Sequence, residues 1–281
     1  MSGWWVITDK TAAGRAGSAL SARGIEYELS IAPSSEAVGD VVLEGVGAGY
    51  SNFASVGGDG AASLVLNGLM THEWVSPPTM AILPTGDGGD FIRTFALPRD
   101  LEGAAGHLAD DQRYPTDVGL IQGTFGSRYF LNGASAGVWA RAIATASRLP
   151  DRVALWVALA GLSPAAVRAE VDERTLEGDL VNVIVANGQF ARGGLNVAPR
   201  ATVQDGVFDV QLISGPRRNA APVMARMARG AHLTHRSVRR TKGAEIVVEC
   251  PDSWQIEVDG MLLGAGSFSV EVLPHAIHFK I

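Results

Sequence analysis

The chain has 281 residues, 47% hydrophobic and 19% charged, with a formal net charge of −6. That length allows one large or two modest domains, with apolar material for a real core and no compositional sign of disorder. The negative balance argues against a general nucleic-acid-binding surface, which needs clustered Lys and Arg. The single cysteine, Cys250, excludes an internal disulfide and fits a reducing compartment. The N-terminal residues lack the basic and long apolar regions of a secretory signal. The most apolar run, 153–162, is about ten residues long, short of the ~20 that span a bilayer. The expected location is cytoplasmic, with any membrane contact peripheral and at the inner face.

In chain order, Trp4–Thr8 reads as a strand and 14–23 as a helix. Asn52–Val56 is a short strand running into Gly57-Gly58-Asp59-Gly60. Residues 61–70 have helical composition, with Leu64, Leu66 and Leu69 as core candidates. Thr79–Leu83 is a third strand, ending in a second glycine-rich turn from Pro84 to Asp90, and a helix is expected over 89–95. This alternation implies a parallel, Rossmann-like sheet with crossover helices. The second half changes character. Strands are expected at 117–122, 128–132, 166–172, 181–187, 207–213, 244–250, 254–258 and 268–273, with Asp259-Gly260 as a hairpin turn. Helices are expected at 136–148 and 220–233. The simplest division is an α/β domain over 1–118 and a β-rich, sandwich-like domain over 119–281.

The chemistry points to the two glycine-rich turns. Both follow strands of one parallel sheet, where ligands sit at the carboxyl ends. Glycines let backbone N–H groups approach phosphate oxygens, and helix N-termini add positive partial charge. Asp59 and Asp90 lie in or beside these turns. A carboxylate there repels phosphates unless it holds Mg²⁺ or orients an attacking hydroxyl. Arg93, three residues beyond Asp90, is placed to neutralise phosphate charge. A P-loop, a dinucleotide fingerprint and a Gly-x-Ser-x-Gly elbow are all absent.

Gly57-Gly58-Asp59-Gly60, with Asn67-Gly68-Leu69 on the following helix, resembles the nucleotide-binding signature of the diacylglycerol kinase catalytic-domain family. That superfamily includes bacterial lipid kinases, sphingosine kinases and, more distantly, NAD kinases. The segment from Pro84 to Arg93 resembles its second turn, P-x-G-T-G-N-D-F-A-R. Residues 7–15 resemble its N-P-x-S-G-K segment, and 128–137 its F-x-N-x-x-S-x-G stretch. Asn187-Gly188, Gly193-Gly194, Ala198-Pro199 and Asp205 to Val210 match its second-domain core, and 255–264 its V-D-G-E-x-x-G hairpin. The matches run in the family's order along almost the whole chain.

The resemblance implies an NAD kinase/diacylglycerol kinase-like fold and an ATP-dependent lipid kinase that uses Mg²⁺ and a diacylglycerol-like acceptor. ATP would contact Arg15, Gly57, Gly58, Asp59, Gly60, Thr85, Gly86, Gly88, Asp90 and Arg93. Asp59, Asp90 and Asp117 would form the metal network. Asp205, with the carbonyl of Val207, would form a structural metal site. Relatives' habits add an expected homodimer.

Four departures stand out. Ala61 replaces a Thr, Ser63-Leu64 replaces Asn-Glu, and Asp87 and Gly89 replace Thr and Asn in the second turn. Met261 stands where relatives carry a Glu proposed as general base, so Asp59 or Asp259 would have to assume that role. A catalytically impaired nucleotide-binding homologue, and a kinase for a non-lipid alcohol, are therefore the alternatives. His232-x-x-His235 reads as a solvated pair rather than a metal site. The basic residues 236–242, with Arg217 and Arg218, read as a solvated face or a contact for anionic headgroups. The apolar run around Trp156 reads as core or as a lipid contact.

Overall fold

The computed structural model describes residues 3–86, 89–146, 151–161 and 163–281. The chain forms two compact units. One comprises Met1–Val118 together with Pro274–Ile281, and the other comprises Gly119–Leu273.

The first unit alternates β1 (Trp4–Thr8), α1 (Ala13–Ala22), β2 (Tyr27–Ile31), α2 (Val38–Gly47), β3 (Asn52–Val56), α3 (Asp59–Leu69) and β4 (Thr79–Leu83). A single turn α4 (Asp90–Arg93) and helix α5 (Leu101–His107) follow. The helix expected over 89–95 is thus only four residues long. Its last turn stops at Ala96, whose φ of 55° lies in the left-handed region.

The strands run parallel in the order β2, β1, β3, β4. Every residue of β1, β3 and β4 is buried, as expected of parallel strands covered on both faces. One face packs Val6, Ala54 and Leu83 against Leu20 of α1 and Leu101 of α5. On α2, Gly45 lies so close to Trp5 that a Cβ would stand 2.6 Å from its ring, while Trp5 Nε1 donates to the Val41 carbonyl at 3.0 Å. Glycine costs about 1 kcal/mol in a helix; here it lets the helix approach the indole. Because β2 lies on one side of β1, and β3 and β4 on the other, the strand order reverses between β1 and β3. Such reversals open a crevice at the carboxyl ends.

The second unit begins within β5 (Arg113–Gly123). It continues through β6 (Gly126–Phe130), β7 (Gly133–Gly137), α6 (Val138–Ala146), α7 (Asp151–Gly161), β8 (Ala165–Val171) and β9 (Arg174–Ala186). Then come the short β10 (Phe190–Ala191) and β11 (Leu195–Asn196), β12 (Phe208–Ser214), α8 (Arg217–Met227), β13 (Val238–Gly243), β14 (Glu245–Glu249), β15 (Gln255–Val258), β16 (Met261–Ala265) and β17 (Phe268–Lys280).

Pairing within this unit is antiparallel. The first half of β9 pairs with β8, which leads to β14 and the start of β17. Its second half lies between β7 and β12, flanked by β15–β16 and by β13. One strand thus serves both layers of a sandwich filled by Phe130, Val183, Phe208, Val248, Trp254 and Phe268. Helices α6, α7 and α8 cover the outer face, with Trp139, Leu159 and Met224 against Ile184 and Ile213. The last residues of β17 return to the first unit, where His278 and Phe279 pair parallel with Thr79 and Met80 of β4.

Candidate functional site

At the carboxyl ends of β3 and β4 the two glycine turns are neighbours, because Val56 faces Leu83 and the Gly57 N–H donates to the Leu83 carbonyl at 2.9 Å. Gly57 has a φ of 149°, and a Cβ there would meet Ala61 Cβ at 2.8 Å, so this turn admits no side chain. Gly58 caps α3 and puts Asp59 and Gly60 in its first turn. The first N–H groups of α3 have no acceptor among the described residues, and it is through such groups that helix termini bind anions.

Asp59 joins the two turns. Its Oδ2 accepts from the N–H of Gly89 at 3.0 Å and of Asp90 at 2.8 Å, and its Oδ1 from Phe91 at 3.1 Å. Three of the roughly four acceptor positions of a carboxylate therefore hold the second turn in place. Asp59 is half-buried, as are Gly57, Gly58, Gly60 and Thr85, whereas Gly86 is exposed. Gly89 has a φ of 95°, and a Cβ there would meet Ile92 Cδ1 at 2.8 Å, so glycine fits this position without strain. Asp90 is buried and pairs with Arg93, Nε to Oδ1 at 3.3 Å. Asp87 and Gly88 lie outside the described residues.

The third wall comes from the segment after β1. Asp9, not anticipated from the sequence, accepts from the Thr11 hydroxyl and from the Thr11 and Ala12 N–H groups. The Thr11 hydroxyl and the Ala12 N–H, with a smaller contribution from the Arg15 charge, hold its carboxyl below the usual range. Arg15 is exposed in the first turn of α1, beside the β1–β3 reversal. Asp117 is fully buried and accepts the His275 N–H at 2.9 Å; it anchors the returning segment of β17.

In the second unit Asp259 makes a similar clamp. Its oxygens accept from the N–H groups of Leu131, Asn132 and Gly133 at 3.0, 2.9 and 3.1 Å. The neighbouring segment is tied in by the Asn187 and Gly188 N–H groups on the Asn132 carbonyl. Gly188 is obligatory, since a Cβ would stand 2.0 Å from Asn132 Oδ1.

Two residues before Asp259 lies a carboxylate that the sequence did not single out. Glu257 Oε1 accepts the Ser135 hydroxyl at 2.9 Å and Oε2 the Gly260 N–H at 3.1 Å. Burial pushes it up to about 7, against smaller opposing effects of Ser135 and Arg192. Its only sequence signal is the charge inside an otherwise apolar strand, Ile256-Glu257-Val258.

Asp205 Oδ2 takes the Lys242 ammonium at 2.5 Å, so the residues at Asp205 and Val207 do not fit a resident cation. Asp209, fully buried, pairs with Arg240. The basic run is therefore partly neutralised within the fold, with only Arg236 exposed among 236–242. The side chains of Arg217 and Arg218 lie outside the described residues. The histidine pair is also corrected: His232 is fully buried, with Nε2 2.9 Å from both the Val197 carbonyl and Gln211 Oε1, and burial lowers its pKa. Val197 and Gln211, distant in sequence, lie against its ring, which i,i+3 spacing alone does not reveal. Among the described residues no group of three or more His, Cys, Asp or Glu is placed to hold a metal, and no helix is long and apolar enough to cross a membrane.

A parallel α/β unit with paired glycine turns at a strand-order reversal, followed by a β sandwich, defines the NAD kinase/diacylglycerol kinase-like class of folds. A solved chain from Bacillus anthracis str. Sterne superposes with a TM-score of 0.84 at 18% identity, covering 99% of this chain and 95% of its own length. An NAD kinase from Archaeoglobus fulgidus in complex with ATP gives 0.54 at 16% identity, covering 99% and 93%. The family model "Diacylglycerol kinase catalytic domain" matches residues 8–121, and "YegS C-terminal NAD kinase beta sandwich-like domain" matches 133–280. The chain belongs to the diacylglycerol kinase catalytic-domain family, with a YegS-type second domain. It is 26% identical to the diacylglycerol kinase of Bacillus subtilis, over 73% of this chain and 69% of the relative. It is 27% identical to a Pseudomonas aeruginosa protein named "Probable lipid kinase YegS-like", over 86% and 80%.

Proposed function

We propose that this protein is an ATP-dependent kinase that transfers the γ-phosphoryl group to the hydroxyl of a diacylglycerol-like lipid. The observation that carries the reading is the Asp59 carboxylate, which locks the second glycine turn beside the first at the open end of the sheet. That arrangement leaves the N-terminal N–H groups of α3 for polyphosphate oxygens. Arg15 and Arg93 supply the countercharge. The bond broken is that from the γ-phosphorus to the β–γ bridging oxygen, and ADP leaves. The lipid oxygen forms the new bond and gives up its proton.

Mg²⁺ fits as an ion carried in on the nucleotide. It demands octahedral oxygen coordination and commonly takes most of it from phosphates and water. The protein offers carboxylates singly here, Asp59 and Asp90 being the ones at the turns, and no acidic cage exists among the described residues. The ion would neutralise charge on the phosphoryl oxygens. Both carboxylates considered for the proton hold three N–H groups, but Asp259 is only 8% exposed, whereas Asp59 lies half-buried at the crevice. We therefore retain Asp59.

A nucleotide-binding homologue without turnover is the second reading, favoured by Met261, since a thioether cannot take up a proton. Incubation of purified protein with radiolabelled ATP, Mg²⁺ and a panel of lipid and soluble alcohols separates the readings. Label in a lipid phosphate, lost in Asp59→Asn, is the expected result. Bound ATP with no transfer to any acceptor supports the second reading, and transfer only to soluble alcohols rejects a lipid acceptor.

A further inference from the structure

The helical layer of the second unit presents an apolar face that the described residues leave exposed. Helix α7 is free of charge from Val153 to Gly161. Its inner side buries Ala154, Ala158 and Leu159 against the sheet layer. Its outer side carries Val153, Trp156 and Val157, exposed by 46%, 48% and 46%, with Ala160 also exposed. Spacings of three, four and seven residues put these four on one stripe. A helix that is apolar on both sides is unusual at a protein–water surface, and Trp with aliphatic neighbours is a composition suited to the boundary between headgroups and acyl chains.

Arginines flank the stripe. Arg141 of α6 is exposed, and its guanidinium lies against Gly161 at the end of α7, 2.7 Å from where a Cβ would be. Helix α8 packs against α7 and carries exposed Arg226, with exposed Arg229 just beyond its end. None of these three arginines pairs with a carboxylate among the described residues. From Gln211 to Ala244 the chain has eight Lys and Arg residues and no Asp or Glu. Arg240 and Lys242 of that stretch pair with Asp209 and Asp205, and Arg226, Arg229 and Arg236 are its exposed cations among the described residues.

We propose that the outer face of α7, with Arg141, Arg226 and Arg229 around it, docks this protein onto an anionic lipid bilayer. Val153, Trp156 and Val157 enter the interfacial region and the arginines meet headgroup phosphates. The charge pattern selects this occupant over a second copy of the chain, whose corresponding surface would bring arginine onto arginine. The inference does not depend on phosphoryl transfer, and its test contains no nucleotide.

The full chain is sedimented with vesicles of phosphatidylcholine alone and of phosphatidylcholine with phosphatidylglycerol. Binding to the mixed vesicles is expected, with weak binding to the neutral ones and loss at high salt. The triple variant Val153→Gln, Trp156→Gln, Val157→Gln should weaken binding ~10-fold or more, as should Arg226→Glu with Arg229→Glu. Far-UV circular dichroism and the melting temperature verify that each variant is folded, and if the triple variant is not, Trp156→Gln alone replaces it. A folded apolar variant that binds the mixed vesicles as well as the parent overturns the proposal. So does a parent that ignores both vesicles, or one that sediments as a dimer which the apolar substitutions dissociate. A protein that fails to transfer phosphate yet shows the expected binding refutes the kinase reading and leaves this one standing.

Discussion

Asp59 and Asp259 make the same three contacts in different surroundings. Each carboxylate accepts three consecutive backbone N–H groups, from Gly89 to Phe91 in one case and from Leu131 to Gly133 in the other. Asp259 does so at 8% exposure, at the tip of the β15–β16 hairpin. Asp59 does so half-exposed, at the mouth of the parallel sheet. The same hydrogen-bond pattern is therefore a structural fastening in one unit and a site-shaping one in the other. Access to water decides which, because water can replace a lost acceptor only where it can reach the donors.

The sharpest way to break this comparison is to remove both carboxylates in turn. Asp259→Ala leaves buried donors without an acceptor and should cost about 4 kcal/mol, seen in urea unfolding and as a melting point roughly 10 °C lower. Asp59→Ala should cost only about 1 kcal/mol while abolishing nucleotide binding in calorimetric titration. Equal stability losses would show that exposure does not separate the two clamps.

Glu257 sharpens the picture on the buried side. Its folded-state pKa, pushed by burial up to about 7 from the usual 4.5, means the folded protein holds a proton that the unfolded chain releases. The favourable contribution is complete below about pH 4.5 and is lost as pH rises through about 7. Glu257→Gln removes that dependence and should stabilise the protein by about 3 kcal/mol at pH 8, with little effect at pH 4. Denaturant midpoints at the two pH values check it; a parallel shift at both would refute the titration.

Smaller again is Gly57→Ala, at a φ of 149° and with 2.8 Å to Ala61. We expect about 2 kcal/mol of destabilisation and weaker nucleotide binding. An unchanged titration isotherm would mean that the first turn does not touch the nucleotide.

The sequence reveals the first sheet where burial is complete. Trp4–Thr8, Asn52–Val56 and Thr79–Leu83 are legible to the residue because fully buried parallel strands are mostly apolar, with only Thr8, Asn52, Ser55 and Thr79 polar among their residues. The edge strand β2 and helix α2 are not. Tyr27–Ile31 is half-buried with Glu28 exposed, and Val38–Gly47 contains three glycines, so neither follows its own propensity. Strand β7, Gly133–Gly137, is made of glycine, alanine and serine and exists because β9 and β15 pair with it on both sides. The glycine turns and Asp59 are legible as a candidate site through their position after strands. The N–H groups that Asp59 holds, and the burial of Glu257 and His232, are not, because they depend on segments distant in sequence.

The return of β17 to β4 has a consequence for biogenesis. Residues 274–281 complete the first unit only after the entire second unit has been synthesised, and Lys280, 3% exposed, fastens them to Asp110. The parallel sheet therefore waits on the ribosome with an open edge beside β4, the kind of edge that invites intermolecular pairing. A premature stop before residue 274 would leave that edge permanently uncovered, so such a fragment should be found in aggregates rather than as a dispersed, folded half of the protein.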